Sequence, residues 1–166
     1  GHDGFAGELG HTIVKPGGRK HWSTDSEGSL EAYASATGIA ITAKKMRAEF
    51  PDSLLNQYPE TEINSKTVYD CALKNDAVAI EVFRYTGQKL GEAFANFVMF
   101  SSPEAILLFG GVIKAGGFLL GPANFHMERN LLPSSRGKIN LILSELPEAD
   151  AAILGASALV WEEDFC

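Results

Sequence analysis

Cysteine is scarce in this chain: Cys71 and Cys166 are the only two in 166 residues. Two thiols so far apart supply neither a disulfide framework nor the close Cys/His spacing of a metal site, and a reducing cytoplasm is the simplest compartment for them. Long apolar runs are missing as well. None reaches the roughly 18 residues of a membrane-spanning helix, so no membrane partner is expected. The opening Gly1-His2-Asp3-Gly4 is not a basic stretch followed by an apolar one, so no signal peptide is read there. Positive charge is in deficit, with 14 Lys and Arg against 21 Asp and Glu and a formal net charge of −7, which argues against a nucleic-acid partner. An anionic nucleotide stays compatible, because backbone N–H groups at a helix N-terminus can hold it locally. Internal repeats, low-complexity segments and long charged runs do not occur. What remains is 45% hydrophobic and 21% charged residues, the balance of one soluble globular domain with a sizeable core.

The chemistry-bearing stretch is Gly7-Glu8-Leu9-Gly10-His11, read together with Glu31 in Gly28-Ser29-Leu30-Glu31-Ala32-Tyr33-Ala34-Ser35. Two carboxylates and an imidazole can accept and donate hydrogen bonds to a polyhydroxylated ligand, and glycines let the backbone come close. Taken alone, the first five residues read as a loop entering a strand, with Glu8 solvated and His11 half-buried. Glu31 taken alone is a first-turn helix carboxylate placed favourably in the helix dipole.

Three motifs in order alter that reading: Gly7-Glu8-Leu9-Gly10-His11-Thr12-Ile13-Val14, then Gly28 to Ser35, then Leu107-Leu108-Phe109-Gly110-Gly111-Val112-Ile113-Lys114-Ala115-Gly116. Their order and spacing resemble the C-terminal half of sugar kinases of the ROK (repressor, open reading frame, kinase) family, from Gly4 to about Trp161. The resemblance implies an α/β fold, the actin-like ATPase or ribonuclease-H-like lobe, with a mixed sheet and several long helices. It implies that residues 1–166 form the large lobe of an ATP-dependent, glucokinase-like hexose kinase, with the small lobe, the phosphate loop and the catalytic aspartate lying upstream. Glu8, His11 and Glu31 would then bind the sugar, and Gly110 and Gly111 would border the adenosine side of the nucleotide. No catalytic base is assigned within the chain. ATP with magnesium would be the cofactor, a hexose the substrate, and a homodimer the assembly, with no nucleic acid bound by this lobe. Two glycines alone are also what an ordinary strand-to-helix turn requires.

The family's loop before the Leu-Glu pair carries a Cys-x-Cys-Gly-x-x-Gly-Cys zinc motif. Here Trp22, Thr24 and Ser29 stand at the thiolate positions. Zinc needs about four ligands, and His11 alone cannot hold it, so no zinc is expected.

The remaining segments set the frame. Residues 12–15 read as a short strand and 16–28 as a loop. Helices are expected over 29–36, from Thr37 or Gly38 to about Phe50, from Asn64-Ser65 through Lys74, and from Asp76 to Ser101. In the last of these, Ile80, Phe83, Leu90, Phe94 and Phe97 form a core stripe, and Gly87 and Gly91, one turn apart, are placed to admit a close helix neighbour. Residues 51–64 read as a polar surface excursion. Ala105 to Phe109 reads as a strand buried on both faces. A helix over 117–132 is expected to break at Gly121-Pro122, followed by a strand at 139–143. A final helix opens at Glu148-Ala149-Asp150, with Ala152, Leu154, Ala156, Ala158 and Leu159 on its packed face.

Three functions fit these residues. The chain belongs to a kinase, to a sugar-sensing transcriptional repressor whose DNA-binding part precedes it, or to an interaction module whose ligand site is dead.

Overall fold

The computed structural model describes residues 2–4, 6–145, 153–154 and 157–158. The final helix expected from Glu148 lies outside the described residues apart from those last two pairs.

Helix starts follow side-chain caps. Ser29 opens α1 (Leu30–Ala34) by accepting the Ala32 N–H, Ser35 opens α2 (Ala36–Arg47) through the Gly38 N–H, and Asn64 opens α3 (Ser65–Leu73) through the Thr67 N–H. Asp76 opens α4 (Ala77–Ser101) in the same way. Each cap satisfies one of the four N–H groups that a helix leaves unpaired at its start. Helix α2 therefore starts at Ala36, one residue before the earlier of the two expected starts.

The 25-residue α4 is the spine. Its first half packs with α2, α3 and the Leu55 turn around Ile39, Val68, Val82, Phe83 and Leu119. Its second half packs with α5 (Gly117–Asn130) around Phe94, Val98, Ala123, Met127 and Leu131. The two helices approach closely because Gly87 and Gly91 face α5. A methyl at Gly91 would fall on the Ala123 carbonyl oxygen and lie 2.7 Å from the Met127 nitrogen, and one at Gly87 would lie 2.8 Å from Pro122 Cβ. Pro122 sits inside α5 without breaking it, contrary to the expected interruption. Its ring is clamped against α4, and that packing offsets the hydrogen bond a proline cannot make.

Strand β1 (Ala105–Leu108) pairs in parallel with β2 (Asn140–Leu143), Ala105 opposite Asn140 through Leu108 opposite Leu143, with α5 as the crossover. Among the described residues the sheet is these two parallel strands rather than a mixed sheet. Ile106 and Leu108 pack on the second core cluster, whereas Leu107 is 71% exposed, so β1 is covered on one face and not on both. Residues 12–15 make a single antiparallel bridge, Ile13 to Ser29, and no strand. The 51–64 segment is less superficial than its composition suggests. Leu55 is fully buried, and the Asp76 carboxylate accepts hydrogen bonds from Ser53 Oγ and the Leu54 N–H at 3.1 and 2.7 Å. Among the described residues no helix is long and apolar enough to cross a membrane.

Candidate functional site

The site forms where the first turn of the chain is fastened to the start of α1. Leu9–His11 is a 3-10 turn. Immediately after it, the Leu30 N–H donates to the Thr12 carbonyl at 2.8 Å and the Val14 N–H to the Gly28 carbonyl at 2.9 Å. This short zipper lays the turn over α1, and the Glu31 Cβ lies 3.7 Å from where a Cβ on Gly10 would be. Gly28 has φ +77°, and any Cβ there would collide with the Lys15 carbonyl, so the turn-back requires glycine.

His11 and Glu31, twenty residues apart in sequence, meet at this edge. His11 Nε2 lies 3.9 Å from Glu31 Oε2, and both side chains are a little under half exposed. Glu8 sits at the start of the same turn, where its carbonyl accepts the His11 N–H at 3.1 Å. Its side chain is exposed and makes no hydrogen bond or ion pair among the described residues. The structure thus brings His11 and Glu31 together and puts Glu8 on the adjoining turn with its carboxylate unengaged.

A third group completes the cluster. His21 is only 4% exposed, and its Nε2 lies 3.4 Å from the same Glu31 oxygen. Its ring lies against Trp22, tilted by 31° with centroids 4.1 Å apart, and meets the His11 ring edge-on at 5.9 Å. Sequence spacing does not single out His21, which lies in a loop ten residues from each partner. The adjacent imidazole and indole in an otherwise small and polar loop are the one signal that could have found it.

Arg19 fixes the loop that carries His21. Its guanidinium donates to the carbonyls of Ala32 and Gly38 and to Thr42 Oγ1 at 2.7 to 2.9 Å, and its backbone N–H donates to the Tyr33 hydroxyl at 2.7 Å. The guanidinium also lies over the Tyr33 ring, 4.8 Å from its centroid. Burial pulls the Arg19 pKa below its usual value, against the opposing pull of Tyr33 and Tyr85.

The donor set of the loop does not fit zinc. Trp22 offers no ligand atom, Thr24 Oγ1 is hydrogen-bonded to Ser26 Oγ at 2.7 Å, and the fully buried Ser29 Oγ caps α1. Among the described residues no group of three or more His, Cys, Asp or Glu is arranged to hold a metal ion.

On the other side of the α1–α2 junction lies a cavity of about 530 Å³, lined by Ala36, Ile39, Tyr69, Asp70, Phe83, Gly111, Val112 and Lys114 among others. Its rim is the turn after β1. Gly110 has φ +109° and leads into a 3-10 turn, Gly111–Ala115, before α5 begins. Of the two glycines assigned to the nucleotide side, Gly111 lines the cavity directly and Gly110 sets the turn that places it. Cys71 lies on the buried face of α3, where burial pushes its thiol pKa up, away from both the His11–Glu31 edge and the cavity lining.

The ROK family profile matches residues 1–163. The chain belongs to the ROK family. Within it, the chain is 35% identical to a glucokinase of Halalkalibacterium halodurans over 99% of its own length and 50% of that protein. It is 30% identical to the DNA-binding transcriptional dual regulator NagC of Escherichia coli, over 96% of its own length and 38% of the regulator. A ROK family glucokinase from Streptomyces griseus, solved in complex with glucose and AMPPNP, superposes with a TM-score of 0.80 at 28% identity, covering 93% of this chain and 51% of that one. The chain therefore spans about half or less of the length of these ROK relatives, and its α/β architecture is the actin-like ATPase fold of ROK kinases.

Proposed function

We propose that these residues form the large lobe of an ATP-dependent hexose kinase, glucokinase-like, that holds the sugar and borders the nucleotide. The observation that carries the reading is the meeting of Glu31 with His11 on one exposed edge, joined by a backbone zipper and facing away from the core. Glu8 is the third sugar contact, free to turn inward. The cavity behind Gly111 takes the adenosine end of ATP, with magnesium on its phosphates. Phosphoryl transfer relies on positioning and charge stabilisation, with one group to receive the hydroxyl proton. No residue here takes that role. An aspartate elsewhere in the complete protein does, so residues 1–166 alone bind but do not turn over. The assembly is a homodimer in the cytoplasm, and no zinc takes part.

A second reading, the sugar-sensing domain of a ROK repressor, is favoured by the NagC likeness. Identity is higher to the glucokinase, 35% against 30%, which supports the kinase reading over the repressor one. The test is ATP-dependent phosphorylation of glucose, N-acetylglucosamine and N-acetylmannosamine by the complete protein, with zinc content measured on the same sample. Turnover of a hexose with zinc far below one per chain supports the proposal. Sugar binding without turnover, together with sugar-dependent DNA binding, selects the repressor.

A further inference from the structure

His21 is buried, polar and unused by the proposal above. Among the described residues its Nε2 is a buried side-chain nitrogen with no hydrogen-bond partner. Buried polar atoms are nearly always paired, so an orphan aimed at a ligand site calls for a reason.

Ser23 decides which ring nitrogen carries the proton. Its backbone N–H, a donor only, lies 3.3 Å from His21 Nδ1, and its hydroxyl lies at the same distance. Nδ1 must keep its lone pair to accept, which leaves the proton of the neutral ring on Nε2. That proton faces Glu31 Oε2 across 3.4 Å. The pair is within ionic reach but too poorly aligned for a hydrogen bond, and a small turn of the Glu31 carboxylate would make one. The ring cannot drift away, because Trp22 covers its face and Arg19 anchors the loop. Glu31 is the partner with room to turn, its side chain 39% exposed against 2% for His21.

We infer that His21 is a positioning residue: its Nε2–H engages one oxygen of Glu31 when ligand arrives, so that the other oxygen and His11 present a fixed pair of contacts to the sugar. Catalytic hydrogen bonds that are long in the free protein commonly tighten in this way on binding. The inference rests on the sugar-site reading of Glu31.

The experiment measures glucose affinity by calorimetry on the complete protein, for wild type, His21→Phe, His21→Gln and Glu31→Ala, each with and without EDTA. Phenylalanine keeps an aromatic ring against Trp22 but has no donor. Glutamine keeps an N–H donor near the position of Nε2. The expected result is that His21→Phe weakens glucose binding roughly ten- to a hundredfold, that His21→Gln stays within about threefold of wild type, and that EDTA changes nothing. Wild-type affinity in His21→Phe overturns the inference. So does an equal loss in both His21 variants, which marks a packing role, or a loss caused by EDTA, which makes a metal the link. Undiminished binding by Glu31→Ala instead removes the sugar-site reading on which the inference stands. A readout independent of glucose is the long-range proton–nitrogen spectrum of the His21 ring in the free protein. It should show the Nε2-protonated tautomer, and the Nδ1-protonated form overturns the donor assignment.

Discussion

Replacing Gly91 by alanine tests the close packing of α4 on α5. Two effects oppose each other. Alanine is favoured over glycine in a helix interior by about 1 kcal/mol. Against that, the new methyl meets the Ala123 carbonyl and lies 2.7 Å from the Met127 nitrogen and 2.8 Å from His126 Cβ. Two of these atoms belong to the α5 backbone and cannot rotate aside, so the helices must separate along the second core cluster. Overpacking of a well-filled core costs about 1–3 kcal/mol, and rigid backbone obstacles place this site at the upper end. The net expectation is a loss of about 2 kcal/mol, or roughly 4–8 °C in Tm for a chain of this size. Gly117→Ala is the control. It is also helical, at the start of α5, but nothing lies within 4 Å of its added methyl. It should leave Tm unchanged or raise it slightly. Thermal unfolding followed by circular dichroism reads both. A Gly91→Ala protein as stable as Gly117→Ala would refute the close-approach argument.

Two further outcomes follow from half-buried charged side chains. Burial pushes the Glu92 carboxyl up, but hydrogen bonds from Lys89 at 2.6 Å and Gln88 at 2.8 Å outweigh it and leave the pKa below its ordinary 4.5. A depressed carboxyl contributes stability above its unfolded pKa and loses it as pH falls through the folded value. Glu92→Gln should therefore be less stable than wild type near neutrality by about 0.5–1 kcal/mol for a partly exposed pair, with the gap closing under acid denaturation; a gap that persists at low pH contradicts this. Arg19→Met removes three donors from the Ala32 and Gly38 carbonyls and Thr42, and should cost about 2–4 kcal/mol, with hydrogen exchange rising first in residues 16–28. Uniform exchange across the chain would show that Arg19 does not anchor the loop.

Helix starts were legible because they depend on local chemistry: Ser29, Asn64 and Asp76 cap as their residue types predict. The α4 stripe was legible because periodicity survives packing. Other features depend on what lies across space. Pro122 stays helical because α4 presses on it through Gly87, and no local rule contains that contact. Leu107 is apolar yet exposed, because among the described residues only one face of a two-stranded sheet is covered. At the site, the motif residues His11 and Glu31 were found from order and spacing. His21 was not, since its burial comes from Trp22 and from the Arg19 anchor, both tertiary facts. Residues 12–15 look like a strand by composition, but only Ile13 finds a bridge partner before the chain turns at Pro16.

The central claim is that Glu31 and His11 hold a sugar, with Glu8 closing from the adjoining turn. A crystal structure of the complete protein grown with glucose tests it most directly. The account predicts glucose hydroxyls within about 3.2 Å of the Glu31 carboxylate and of His11 Nε2, with the Glu8 carboxylate turned onto the same sugar. Glucose bound away from this edge, with Glu31 and His11 making no contact to it, would contradict the account.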